Sequence, residues 1–141
     1  MRSTFRKVCV TLILAVMLVV PNCVFSEESL VPADKPVLSR AVMSEALQKF
    51  TPVNEAMVFS IELGRIHCFT EFDPVPKQTI IYHKWYHRDA LVSVKQLTLN
   101  PPRWSSFTSM QLRDVDKGPW RVDITDANGN LIRTLRFSIT D

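Results

Sequence analysis

Glycine is scarce in this sequence, with three in 141 residues. That excludes the Gly-rich loops that cradle phosphates, which need several glycines at close spacing. Cysteine is nearly as rare, and of Cys9, Cys23 and Cys68 only the last lies outside the N-terminal segment. A lone thiol closes no internal disulfide, and in an oxidising compartment it is expected to be buried and inert. No apolar run reaches the roughly 20 residues that a membrane-spanning helix needs. No basic run is present either, which removes the electrostatic footprint expected of a nucleic-acid binder.

What the N-terminus does contain is the three-part pattern of an export signal. Arg2, Arg6 and Lys7 form a charged start, Val8 to Val20 an apolar stretch, and Val24-Phe25-Ser26 a cleavage site, so residues 1–26 read as a signal peptide cut after Ser26. Two alternatives are an uncleaved anchor and a lipoprotein acylated at Cys23. The first has too short an apolar run followed by Pro21, and the second has Asn22 where a small residue is wanted. Removal of the signal takes three positive charges with it and leaves 14 basic against 14 acidic residues. The mature chain is therefore neutral, expected in the periplasm or outside the cell, and touches membrane only through the signal segment during export.

Residues 27–36 are acidic, hold two prolines and show no apolar period, so they read as a disordered tether. Residues 37–141 remain for one domain. Val37 to Phe50 is ambiguous: Leu38, Val42, Ala46 and Lys49 suit a helix, whereas Val37, Ser39, Ala41 and Met43 alternate as a strand. Propensity favours the helix, and Pro52 should end the element either way. From Ala56 onward the period becomes two. Met57, Phe59, Ile61 and Leu63 predict a strand ending at Gly64, followed by strands over Ile66–Phe72, Thr79–Arg88, Leu91–Leu99 and Arg103–Leu112. Trp120, Val122 and Ile124 should pair with Leu131, Leu135, Phe137 and Ile139 across a turn containing Asn128-Gly129. Seven or so short strands with little helix predict an all-β fold, a small antiparallel immunoglobulin-like sandwich in preference to a closed barrel.

Candidate chemistry is thin. His83 and His87 share a strand face, with His67 and Cys68 on the preceding strand, but two histidines four residues apart along a strand lie about 13 Å apart and cannot share one metal. Ser105, Ser106 and Ser109 have no neighbouring base or Gly-flanked elbow, and the carboxylates are scattered in turns. No catalytic residue, metal site or cofactor is expected, and the chain is not expected to be an enzyme. Trp85, Trp104 and Trp120 read first as core pillars. Tyr82, Lys84, Tyr86 and Arg88 share the opposite strand face from Trp85 and form an aromatic and cationic stripe suited to contact.

Several runs resemble the bacterial family called domain of unknown function 2914. They are Phe69-Thr70, His83-Lys84-Trp85-Tyr86, Arg103-Trp104, Phe107-Thr108-Ser109 and Gly118-Pro119-Trp120-Arg121-Val122, with Asp126, Gly129 and Phe137 after them and Ser39-Arg40-Ala41-Val42 and Pro52-Val53 before. The resemblance spans Leu38 to Ile139. It implies that Val37 to Met43 is a strand, supports the sandwich, and brings no activity, substrate or catalytic residue. Related sequences commonly carry basic residues where this chain has Ser105 and Met110, which leaves Lys84, Arg103 and Arg121 as the basic candidates.

The sequence thus predicts a non-catalytic exported domain that binds an envelope protein, with cell-wall glycan as the alternative ligand. Candidate contacts are Tyr82, Lys84, Tyr86, Arg88, Arg103, Trp104 and Arg121.

Overall fold

A computed structural model describes residues 34–141. The expected signal peptide and most of the expected tether lie outside the described residues. Nine strands follow in order: β1 (Leu38–Gln48), β2 (Thr51–Glu55), β3 (Val58–Ser60), β4 (Arg65–Phe72), β5 (Thr79–His87), β6 (Ala90–Leu99), β7 (Trp104–Gln111), β8 (Gly118–Asp126) and β9 (Leu131–Thr140). They form a four-stranded sheet, β2-β1-β4-β7, and a five-stranded sheet, β3-β9-β8-β5-β6. All neighbours are antiparallel except β3 and β9. With β1, β4 and β7 as strands A, B and E, and β5, β8 and β9 as C, F and G, the neighbour orders are those of an immunoglobulin-like sandwich.

The opening element is a strand, as the family resemblance implied and helix propensity did not. Tertiary pairing decides it. Residues Ala41 to Ser44 pair with Thr70 to His67 of β4, while Ser44 to Gln48 pair with Glu55 to Thr51 of β2, so the segment's backbone is satisfied from two sides. Pro52 does not end it. The chain reverses at Lys49-Phe50, both at positive φ (48° and 61°) in a two-residue hairpin, and Pro52 sits inside β2. That strand is a sheet edge, where a missing N–H costs no ladder bond. Such a turn favours Asn-Gly, and a long side chain there is held in a region that L-residues avoid. Lys49→Asn is therefore expected to stabilise the domain by about 0.5 to 1 kcal/mol, read as a rise of a few degrees in melting temperature.

The strand expected over Met57 to Leu63 is also revised. Only Val58–Ser60 is extended, and Ile61–Leu63 is a turn of 3-10 helix. Ser60 Oγ accepts from the Glu62 N–H (3.2 Å), and Gly64 at φ 70° closes the turn by donating to Ile61 O (3.1 Å). Here the chain steps from one sheet to the other, and the turn rotates the apolar series out of register. Phe59, ahead of the turn, is buried, whereas Leu63 at its end is 39% exposed; Met57, before the strand begins, is 71% exposed. The remaining strands fall where the two-residue period places them, and the terminal hairpin pairs Trp120 with Phe137 and Val122 with Leu135.

Two apolar clusters fill the space between the sheets. One gathers Met43, Phe59, Ile66, Cys68, Trp85, Trp120, Val122, Phe137 and Ile139, and the other Phe72, Val75, Ile81, Leu99 and Ile124.

Candidate functional site

The histidines do not converge. His83 is fully buried between the sheets, with Nδ1 2.8 Å from Thr108 Oγ1 and Nε2 3.2 Å from Thr70 Oγ1. Trp85 Nε1 also donates to Thr108 Oγ1 (3.2 Å). Since indole only donates, the arrangement that uses every group has the Thr108 hydroxyl donating to His83 Nδ1 and the His83 Nε2–H donating to Thr70. Burial pushes the imidazole down to about 4, so His83 is neutral at ordinary pH. His87 instead stacks on Trp120 at 4.5 Å with Nε2 2.9 Å from Lys117 O, and His67 meets Ser109 Oγ at 2.6 Å on the outer face of the other sheet. Burial and then Arg65 lower the His67 pKa. Cys68 is fully buried, and desolvation raises its thiol far above the usual range, leaving it un-ionised. Among the described residues, no three of His, Cys, Asp and Glu gather as metal ligands.

The seven candidate contact residues fall in three places. Tyr82, Lys84 and Tyr86 lie along the outer face of the five-stranded sheet, and Arg121 joins them from β8 opposite Tyr86. Its guanidinium covers the Tyr86 ring at 4.0 Å and is paired with Asp89 and Asp123, so most of its charge is already answered within the domain. Arg88 occupies the β5–β6 turn, where it donates to Lys117 O (3.2 Å) and fills the space that a Cβ on Gly118 would need. Trp104 opens β7 of the opposite sheet, and Arg103 immediately precedes it. Arg103 holds Glu71 at 2.8 Å, and that hydrogen bond lowers the Glu71 pKa, while Trp104 pairs with Phe72 at the end of β7.

A different feature stands out once the sheet edges are compared. Unpaired edges invite strand addition, and folded proteins blunt them with short strands, proline, bulges or inward-pointing charges. Edge strand β3 has three residues, and β2 has five, with Pro52 among them. Strand β6 is longer but carries a register shift beside Val92, and Lys95 lies opposite buried His83, on the inward side of the strand. Strand β7 has none of these devices. Its eight residues contain no charge, and its register with β4 is unbroken from Gln111 to Trp104.

The backbone phase of β7 follows from one bond. Leu112 N donates to Gly64 O (2.9 Å) across the β4–β7 ladder, so Met110, Thr108, Ser106 and Trp104 bond β4, while Ser105, Phe107, Ser109 and Gln111 turn their N–H and C=O groups to the open side. A groove of about 400 Å³, lined by Arg65, Val92, Ser93, Lys95 and Ser109 to Gln111, runs between this edge and β6. Phe107 is 38% exposed on the outer face and meets the ring of Phe50 edge-on at 5.6 Å. Edge status depends on topology, which local pattern does not carry. The signal that could have found the site is the charge-free run from Trp104 to Leu112.

No curated protein matches the chain. Residues 78–139, which run from the approach to β5 almost to the end of β9, match the sequence model of a family described as "Protein of unknown function (DUF2914)", a shorter span than Leu38 to Ile139, and over that span the chain resembles that family.

Proposed function

We propose that this is an exported, non-catalytic envelope domain that binds another protein by adding a strand to the β7 edge. The unguarded edge carries the proposal: it is the one edge among the described residues without a device against pairing, and its backbone groups at Ser105, Phe107, Ser109 and Gln111 are unclaimed by β4. Strand addition draws affinity from main-chain hydrogen bonds and specificity from alternate side chains, here Phe107 with Phe50 beside it. Tyr82, Lys84 and Tyr86 are a weaker second surface, since the Arg121 next to them is neutralised internally.

A photoreactive residue at Ser105, in cells, is expected to give a discrete protein adduct, whereas the same probe at Gln96 on guarded β6 gives none. N-terminal sequencing of the adduct should begin at Glu27. Retention on cell-wall sacculi with no protein adduct would shift the assignment to glycan binding around Arg103 and Trp104.

A further inference from the structure

We propose that the strand added to β7 is β7 of a second copy, paired antiparallel about a two-fold axis through Phe107; this rests on the strand-addition proposal above. The two-fold requires a self-complementary sequence, because each residue meets its mirror position. Strand β7 reads Trp-Ser-Ser-Phe-Thr-Ser-Met from Trp104 to Met110, nearly a chemical palindrome about Phe107. With Phe107 on the axis, Ser105 faces Ser109, Ser106 faces Thr108 and Trp104 faces Met110, so hydroxyls meet hydroxyls and large apolar groups meet large apolar groups. No like charges meet within the pairing.

The backbone phase agrees. Phe107 is one of the residues whose N–H and C=O point to the open side, so the central pair exchanges both hydrogen bonds, as an antiparallel ladder requires. A second observation comes from the inward row. The Ser106 hydroxyl is buried, with the side chain in a residue only 8% exposed, and has no hydrogen-bond partner among the described residues. The proposed register sets Thr108 of the second copy across from it. On the outer face, Phe107 and Phe50 of each copy meet around the axis and supply the apolar contact that strand pairing alone lacks. The product is one eight-stranded sheet, with β2 at both ends.

The register is testable in the full chain with Cys9 and Cys23 changed to Ser, which leaves only buried Cys68 and the introduced thiol. With a short bismaleimide, Phe107→Cys should crosslink to itself. Ser105→Cys alone should not, since its two copies lie about 14 Å apart along the strands, but a mixture of Ser105→Cys and Ser109→Cys chains should. In sedimentation, Phe107→Lys sets two ammonium groups face to face and should weaken self-association at least tenfold. The double variant Ser105→Lys with Ser109→Glu, which alternates charges across the axis, should retain it. A protein adduct of another mass at Ser105 with no Phe107→Cys dimer would overturn the second copy and leave strand addition standing. Absence of any adduct at either position would overturn both.

Discussion

Acidification from pH 6.5 to pH 4 is expected to remove on the order of 3 kcal/mol of stability through His83 alone. In the unfolded chain the imidazole takes a proton near 6.5, but in the folded domain it resists until about 4 because charging it means burying an ion between two sheets. Unfolding therefore takes up a proton inside that window. Stability is fully present above 6.5, falls as pH drops, and levels off below 4. Glu71 and Asp126, whose pKa values are lowered, push the same way at the acidic end. The His83 share is isolated by comparison with His83→Gln: denaturant melts at pH 7, 5.5 and 4 should show a steeper slope in the parent than in the variant, which keeps only the smaller contributions of His67, Glu71 and Asp126. Equal slopes would remove His83 as the source.

Trp85→Ala should cost about 3 to 5 kcal/mol. The indole is fully buried, packs edge-on against Phe137 at 6.1 Å, and supplies the donor that occupies Thr108 Oγ1. Its removal leaves a cavity at the centre of the larger apolar cluster and one unpaired acceptor in the His83 network. Against a typical domain stability of about 5 to 15 kcal/mol this is about a fifth or more, and melting should fall by roughly 12 °C or more. Trp104→Ala, at the end of β7 and 39% exposed, is the control: its thermal melt should move by only a few degrees. A similar drop for both would mean that Trp85 is not the pillar the packing shows.

Strands β4, β5, β7 and β8 were legible because more and less buried residues alternate along them, so the period is written directly into the chain, whereas β6 is exposed along most of its length. The terminal hairpin was legible for a further reason: Asp126 Oδ1 accepts from the N–H groups of both Asn128 and Asn130, and Gly129 takes a positive φ that the Asn-Gly pair announces. The pattern failed where tertiary pairing overrides local preference, at Leu38–Gln48, and where the chain crosses between sheets, at Ile61–Leu63. The candidate surface was half legible. Alternation put Tyr82, Lys84 and Tyr86 on one face, and that is where they lie. It could not show that Trp104 opens a strand of the other sheet with Arg103 just before it, that Asp89 and Asp123 answer Arg121, or that β7 is an edge strand among the described residues.

The unequal treatment of the four sheet edges limits how such a molecule can associate. Monomers with two reactive ends propagate into fibres, whereas monomers with one can only terminate one another. Proline in β2, brevity in β3, and the displaced register of β6 with Lys95 on its inward-facing row leave β7 as the one unguarded edge among the described residues. If β7 pairs with itself as proposed, association would stop at two chains, and backbone that would otherwise threaten solubility would become a finite, closed contact.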